Sequence, residues 1–166
     1  MASGSVALSE FEFLTYRITT MELHVRPLFD MGITNVGDIN SVKWNVALGF
    51  ADITKQNDLY AVPLSAEMKL IQAGSWEENL SDPYLTAMAV IVGFFRFKEI
   101  NTFTEELKDR LLRCQCPTIL FPYLRSTMSL MLQGAGFGAS VMPLFNVAKM
   151  AEERPPVNIV ESVEDK

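Results

Sequence analysis

The side chains best suited to catalysis are few and far apart in this sequence. His24 is the single histidine, and it falls on the polar side of a predicted strand. A general base or a catalytic triad needs a nucleophile and an orienting group close by, and the sequence indicates neither for His24. The Asp and Glu residues show no paired spacing distinct from a solvated surface. The sequence therefore predicts an ordinary surface histidine and no enzyme.

Cys114 and Cys116 are the two cysteines of the chain, and their spacing would suit half of a metal site. A structural zinc ion needs a complete tetrahedral set of ligands, and the chain has too few cysteines and histidines to supply one. Two cysteines also do not make a disulfide framework. The sequence thus predicts buried, inert thiols, with no metal and no cofactor.

The glycine-rich run Gly134-Ala-Gly-Phe-Gly138 resembles a phosphate-binding loop in composition. Such a loop should follow a strand and open a helix, with Lys or Ser/Thr placed for the phosphates. Here it follows a predicted helix and lacks the lysine. The glycines are better explained as a helix end, with Gly134 as the left-handed cap.

Composition limits the class of protein. The chain has 166 residues, 49% of them hydrophobic, and a formal net charge of −6, which predicts one folded domain and excludes disorder as a class. An acidic balance argues against nucleic-acid binding and against docking on a membrane surface through a basic patch. The N-terminus has no basic segment before an apolar stretch, and the longest apolar run, from Leu85 to Phe95, is far shorter than the ~20 residues of a spanning helix. We expect a cytoplasmic protein that does not insert directly into membranes.

Methionine and phenylalanine are abundant, with nine and eleven residues. Flexible, polarisable Met side chains suit surfaces that bind unlike apolar partners. The alternative, which holds for any single Met, is core packing or an oligomer interface. The surplus therefore indicates an apolar binding surface without locating it.

Period-two alternation predicts strands at residues 11–25 and 44–50, and a third strand is predicted at 59–72 after a turn. A nearly continuous apolar run, as expected when both faces are covered, predicts a fourth at 84–98. The first changes phase along its length, which predicts a bulge, and Pro63 predicts an edge or a bulge in the third. Helices are predicted at 100–113, from Pro122 to Gln133, and from Pro143 to about Glu153. Residues 1–10 are expected to be flexible, 28–43 a long loop, 11–153 a single domain, and the acidic tail 154–166 disordered. This order indicates an α+β fold, a four-stranded antiparallel sheet with two to three helices on one face.

The chain is centred on the segment from Cys114 to Gln133. Pro117 and Pro122 each remove a backbone donor and restrict the preceding residue, which predicts a kink or a fresh helix start. Apolar residues nearly encircle the helix that follows, so it is predicted to be a subunit interface. The predicted interface residues are Phe121, Tyr123, Leu124, Met128 and Met131.

The same segment resembles a known family. Residues 116–125 read C-P-x-I-L-F-P-Y-x-R and precede a Met-containing helix and a G-x-F turn, as in the protein-export chaperone SecB. A weaker likeness of strand order and length extends over residues 11–153. The resemblance implies a homotetramer, a dimer of dimers, that binds unfolded precursor proteins without ATP and delivers them to the motor ATPase SecA.

The resemblance also implies a long hydrophobic groove for extended client segments. It maps to the second strand, the glycine-rich loop and the last helix, at Trp44, Val46, Leu48, Phe50, Phe137, Met142, Leu144, Val147 and Met150. Acidic positions that dock SecA in the family correspond to Glu22, Arg26 and Met88. Two carboxylates are therefore replaced, and Glu22 alone is a possible SecA-docking residue.

Two further hypotheses remain open. SecB-like chaperones also accompany toxin–antitoxin pairs, where the client is an aggregation-prone antitoxin. A protein of another class, a non-chaperone module that holds one small molecule or one fixed peptide in an apolar groove, is also compatible with the composition. A holdase should suppress aggregation of unrelated proteins, whereas a module should bind one ligand.

Overall fold

A six-stranded sheet forms one layer of the fold and the helices form the other. The computed structural model describes residues 11–27, 42–72, 83–98, 103–137 and 142–162. The strands are β1 (Phe11–Val25), β2 (Val42–Phe50), β3 (Ile53–Gln56), β4 (Leu59–Gln72), β5 (Leu85–Phe97) and β6 (Ile159–Glu161). The helices are α1 (Glu105–Arg110), α2 (Cys116–Gly134) and α3 (Val147–Glu152), and a π-helical turn at Leu111–Gln115 joins α1 to α2. The α+β class is as predicted.

The sheet has the order β1-β5-β4-β3-β6, and β2 pairs with the other half of β4. All pairs are antiparallel except β3 with β6. Two predictions are corrected, because the sheet has six strands instead of the predicted four and part of the tail is ordered. β3 follows β2 after a short break, opposite Pro63, whose missing N–H could not serve a ladder bond there. Residues 159–161, predicted to be disordered, form β6.

The predicted bulge in the first strand is confirmed, because the β1–β5 register shifts at two places, between Phe13 and Thr15 and between Ile18 and Thr20. An extra residue at each shift returns the following side chains to the sheet face set by β5. Ile18 and Met21 consequently lie opposite Ile91 and Ala89, on the helix side of the sheet.

The core lies between the sheet and α2. Along β5, alternate side chains from Leu85 to Phe97 are buried on the helix side, while those on the opposite face are half-buried. α2 packs mainly against β4 and β5. The closest approach is at Gly93, where an added Cβ would lie 2.4 Å from Leu120 Cδ2.

The predicted fresh helix start at Pro122 is wrong, because α2 continues through this residue. Pro117 falls in the first turn of α2, where a missing N–H costs least, and the π-helical turn directly precedes it. At Pro122 the helix is held by packing, since Leu120, Phe121 and Leu124 on either side are buried. Tertiary burial offsets the roughly 3 kcal/mol that an interior proline costs.

The left-handed cap of α2 lies two residues later than predicted. Gly134 is the last helical residue, and the left-handed conformation occurs at Gly136, with φ of 92°. The Phe137 N–H donates to the Leu132 carbonyl (2.8 Å) and the Gly136 N–H to the Gln133 carbonyl (3.0 Å), a Schellman motif.

The last helix begins later than Pro143, at Val147. The Asn146 side chain caps it by accepting from the Lys149 N–H at 3.1 Å. The predicted flexible N-terminus, residues 1–10, and residues 28–41 of the predicted loop lie outside the described residues, as do residues 163–166 of the tail.

Candidate peptide-binding surface

β2 presents a row of apolar side chains on the helix side of the sheet. Antiparallel pairing sets alternate β2 residues opposite Leu70, Met68, Ala66 and Leu64 of β4, all of them buried core residues. The β2 side chains in this row are half-buried and pack against that core: Trp44, Val46, Leu48 and Phe50. Four predicted groove residues therefore share one face, with part of each side chain left accessible.

The end of α2 contributes an aromatic partner to this row. The Schellman motif turns the chain so that Phe137 meets Trp44 edge-on, with ring centroids 6.4 Å apart. Such edge-to-face contacts are favourable because the positive ring edge meets the negative face. The structure thus brings together one residue from β2 and one from the turn after α2, as predicted for the groove.

The remaining predicted groove residues are distributed differently. Met142 and Val147 are core residues, 0% and 3% exposed, so their side chains are not accessible to a client. Met150 is half-buried. Leu144 is 78% exposed and lines a separate depression beside Phe121 and Pro122 on α2. These four residues do not extend the β2 row as one continuous stripe.

Arg125 is a positioning residue that sequence reasoning did not assign. Its Nε donates to the Met142 carbonyl at 2.7 Å, which fixes the segment before α3 against α2. A buried carbonyl paired with a charged donor makes a strong hydrogen bond. The signal in the sequence was the single charged residue of α2.

The outer edge of β2 completes the surface. Among the described residues, β2 pairs with β4 alone, so one edge of β2 has backbone groups that no described strand satisfies. An extended peptide that binds a sheet edge uses such groups for affinity and the adjoining side-chain row for selectivity. β2 offers both features.

A narrow cavity lies at the Phe50 end of the row. Its free volume is about 20 Å³, and its lining includes Ile53, Val62 and Leu112 together with residues 154–157. The Arg154 guanidinium lies 4.5 Å from the centre of the Phe50 ring, a cation–π contact. Arg113 donates to the Asp109 carboxylate and to the Val157 carbonyl. Neither arginine was predicted to act here.

The predicted oligomer-interface residues lie mostly inside the single chain. Leu124 and Met128 are fully buried, and Phe121 is buried against Phe145 with centroids 6.0 Å apart. These side chains belong to the core of this chain, which corrects their assignment to an interface. Tyr123 is 38% exposed, and its ring packs against the Tyr16 ring with centroids 4.7 Å apart and planes tilted by 37°; Met131 is half-buried. The most exposed apolar residue of α2 is Leu130.

The opposite face of the sheet holds the predicted docking positions. Glu22 lies directly across from Met88, which lies across from Glu67, so two carboxylates flank one methionine. Glu67 was not predicted, because its position on this face depends on the β4–β5 register. The Arg26 N–H donates to the Tyr84 carbonyl at 2.9 Å, and its guanidinium lies 5.9 Å from the centre of the Tyr84 ring.

The candidate reactive groups are placed as structural residues. Both cysteines are buried as free thiols, and burial raises the pKa of Cys114 and of Cys116 above the usual cysteine value. A thiol held protonated is a poor nucleophile and a poor metal ligand. His24 is exposed on β1 opposite Thr86.

Metal and membrane features can be assessed for the part of the chain that the structure describes. Within these residues, no three His, Cys, Asp or Glu side chains come together as metal ligands. No described helix has both the length and the apolarity needed to cross a membrane.

The class that these features define is an α+β protein, with a largely antiparallel sheet backed by one long helix and an apolar strand, β2, whose outer edge no described strand pairs. The family described as preprotein translocase subunit SecB matches residues 40–154, which is more than half of the chain. The chain belongs to the SecB family.

Two solved structures match the chain, and the first of them shares its fold. One is the SecB-like chaperone of Mycobacterium tuberculosis, in complex with a ChAD peptide from the HigA1 antitoxin, with a TM-score of 0.60 and 11% identity over 82% of this chain and 92% of that one. The other is a protein of unknown function from Streptococcus agalactiae, with a TM-score of 0.35 and 10% identity over 82% of this chain and 98% of that one. No curated protein sequence matches the chain significantly.

Proposed function

We propose that this protein is an ATP-independent holdase chaperone, which binds unfolded or precursor polypeptides on the apolar row of β2. The observation that carries the proposal is the combination of half-buried Trp44, Val46, Leu48 and Phe50 with an edge of β2 that no described strand pairs, in a chain of the SecB family. Apolar area and backbone pairing bind extended chain without requiring one sequence. No step of this activity needs a nucleotide or a cofactor.

The proposal includes assembly into a homotetramer in the cytoplasm. One chain offers a short row of side chains, and each contact with a client is weak. Several copies that contact one extended client add their contributions through effective concentration. An acidic surface, with a net charge of −6, keeps such an assembly soluble.

The test is client capture by wild type and by Trp44→Ala, with Trp44→Phe as the matched control. Removing the indole deletes the largest apolar group of the row and its contact with Phe137, so we expect affinity for a reduced, unfolded model protein to fall about tenfold. Trp44→Phe keeps an aromatic ring and should lose much less. Light scattering of the free protein and of the mixture with client reports both subunit number and uptake.

Equal affinity of wild type and Trp44→Ala for the unfolded protein would contradict the assignment to β2. A protein that ignores unfolded chains but binds one small molecule or one fixed peptide would instead be a binding module of the non-chaperone kind. Folded model protein, which buries its apolar segments, should not be captured and serves as the negative control.

Two physiological clients are compatible with this activity. Delivery of precursors to SecA is supported by Glu22, a carboxylate on the face opposite the helices where a basic tail could dock, whereas the nearby Glu67 is paired with Lys69 at 3.1 Å. Binding of an antitoxin as the client is supported by the structural neighbour that holds an antitoxin peptide, and by Arg26 and Met88 in place of acidic residues. We favour export, with the antitoxin as the alternative.

Calorimetry with a peptide of the basic SecA tail distinguishes the two clients. If precursors are delivered to SecA, the peptide should bind wild type, and Glu22→Lys should weaken binding about tenfold by replacing attraction with repulsion. Glu106→Lys, a reversal at an exposed position in the first turn of α1, is the control for net charge. Absence of binding to wild type would favour the antitoxin alternative.

A further inference from the structure

The C-terminal segment (residues 154–162) lies along the side of β3 that β4 leaves free. Within it β6 runs parallel to β3, with Ile159 opposite Ile53 and Glu161 opposite Lys55. The Ile53 N–H donates to the Asn158 carbonyl at 2.8 Å, and the Ser162 N–H donates to the Lys55 carbonyl at 2.9 Å. The segment therefore binds β3 as an added strand, in the way an extended peptide binds a sheet edge.

Side chains fix the register of this added strand. Lys55 Nζ lies 3.1 Å from a carboxylate oxygen of Glu161, and the Asn158 N–H donates to Asp52 Oδ1 at 2.9 Å. Arg113 donates to the Val157 carbonyl from the side of the helices. The contacts are thus spread from Val157 to Ser162, and they select an extended segment with a carboxylate four residues after an aliphatic residue.

The start of the segment closes the cavity at the Phe50 end of β2. Pro155, Pro156 and Val157 form part of its lining, and Val157 packs against the core. About 20 Å³ remains free, room for about one water molecule. The cavity is therefore filled chiefly by the chain's own C-terminal segment.

This segment is held more weakly than the elements of the core. All three residues of β6 are exposed, and the strand has one neighbour among the described strands. A short strand with little buried apolar surface opens at low free-energy cost, before the rest of the fold. The segment is suited to be displaced without unfolding the domain.

We propose that the free side of β3 and the adjoining cavity form a second site for extended polypeptide, which the C-terminal segment occupies until another segment displaces it. The ligand is an extended stretch with an aliphatic residue in the place of Val157 and a carboxylate in the place of Glu161. That the natural competitor is an unfolded client rests on the proposed function. The occupied site lowers the apparent affinity for that competitor, because the chain binds it only while the segment is released.

The direct test uses a fluorescein-labelled peptide of residues 154–162, RPPVNIVES, as the probe on the full-length protein. In Glu161→Lys the chain's own segment meets Lys55 with a like charge, while the added peptide keeps its carboxylate. We expect Glu161→Lys to bind the peptide about five times more tightly than wild type, as expected when an ion pair becomes a repulsion at a partly exposed site. The double variant Lys55→Glu, Glu161→Lys restores the internal pair and should return to weak binding.

A second variant removes a backbone contact instead of a charge. Ser162→Pro deletes the N–H that donates to the Lys55 carbonyl and leaves every side chain of the cavity unchanged. Amide exchange at Ile53, whose N–H is bonded to Asn158, reports release in both variants. Faster exchange at Ile53 with tighter peptide binding supports the proposal.

Three results would overturn it. Exchange at Ile53 that is unchanged in both variants would show that the segment does not occupy β3 as a displaceable strand. Faster exchange without tighter peptide binding would show that the vacated edge is not a binding site. Peptide binding that persists equally in Lys55→Glu, Glu161→Lys would place it elsewhere.

Adding an unfolded client to the same variants tests whether an unfolded client is the natural competitor of the C-terminal segment. Capture that rises together with peptide affinity supports competition by client, and capture that stays at the wild-type level overturns it while leaving the holdase activity intact. If wild type and variants all fail to capture client, the proposed function fails, whereas the peptide result still decides whether the site exists.

Discussion

Gly93 is the residue at which the sheet and α2 approach most closely. An added Cβ would lie 2.4 Å and 2.9 Å from the two methyl groups of Leu120 and 2.8 Å from the Phe95 ring. Leu120 and Phe95 are both fully buried, so neither has free space to move into. We expect Gly93→Ala to destabilise the domain by about 2 kcal/mol, measured by urea denaturation, as overpacking of a close-packed core does.

Gly134→Ala is the matched control for that substitution. Gly134 is helical, and no atom lies within 4 Å of an added Cβ. Alanine there should stabilise α2 by about 0.5–1 kcal/mol because it restricts the unfolded chain. Equal effects of the two substitutions would contradict the packing of α2 on β5.

The buried thiol of Cys116 makes the stability of the domain depend on pH in the alkaline range. Burial raises the pKa of its thiol, so the folded chain keeps the proton that the unfolded chain releases above a pH of about 8.5. The unfolded state then binds fewer protons than the native state, and stability falls as pH rises through that range. We expect wild type to lose about 1 kcal/mol more than Cys116→Ala for each pH unit above about 9, from urea denaturation under reducing conditions.

The same burial predicts slow alkylation. At pH 8 iodoacetamide should modify neither Cys114 nor Cys116 in the folded protein within the time that urea-unfolded chain reacts completely, because the thiolate is the nucleophile. Mass spectrometry counts the adducts. Rapid modification of the folded chain would contradict the inert role of both thiols.

At the scale of elements, α2 is chiefly a helix of the domain core, and only its exposed face is available for an interface. Leu124 is fully buried, whereas Leu130, on the same helix, is 66% exposed. We expect Leu124→Ala to reduce the free energy of unfolding by about 2–4 kcal/mol through the cavity it leaves. Leu130→Ala makes the same chemical change on an exposed face and should change the stability of the domain by less than about 0.5 kcal/mol.

Light scattering on the same two variants separates stability from assembly. Unchanged stability of Leu124→Ala together with a smaller assembly would return Leu124 to a subunit interface and contradict its place in the core. A smaller assembly of Leu130→Ala would instead show that another copy covers the outer face of α2.

At the scale of the whole molecule, β1 carries the apolar surface that we expect another copy of the chain to cover. It is 15 residues long, forms one end of the strand order, and exposes apolar side chains on the helix side, Met21 by 58%. α2 lies over β4 and β5 and leaves Ile18, Met21 and Val25 uncovered. Long apolar edges in native proteins are covered or charged, so we expect another copy to cover this one.

Met21→Lys tests that expectation. A charge on the uncovered side of β1 opposes burial against a second copy, so the mass by light scattering should fall from a tetramer to a dimer or monomer. Met21→Leu keeps the side chain apolar and should leave the assembly unchanged. A tetramer that survives Met21→Lys intact would place the interface away from β1.

Much of the fold was predictable because period and turn chemistry are local. The alternation of β1 and β2, the phase changes of β1 and the continuous apolar run of β5 follow from the pattern of side chains along the chain. The cluster of apolar residues on β2 was likewise placed on one face, because β-strand geometry fixes which residues share it. What the resemblance added was the assignment of that face to client binding, which stays a prediction.

The rest was decided by tertiary contacts. The helix passes Pro122 because burial of Leu120 and Leu124 outweighs a local cost, and the same burial takes Leu124 away from an interface. Residues 159–161 form a strand because β3 has a free side at the distance that their backbone can reach, although composition predicts disorder. Sequence by itself determined the class of fold and the apolar face of β2, since both depend on spacing along the chain. The tertiary structure decided which apolar side chains remain accessible and which segment pairs with the free side of β3, because both depend on residues far apart in sequence.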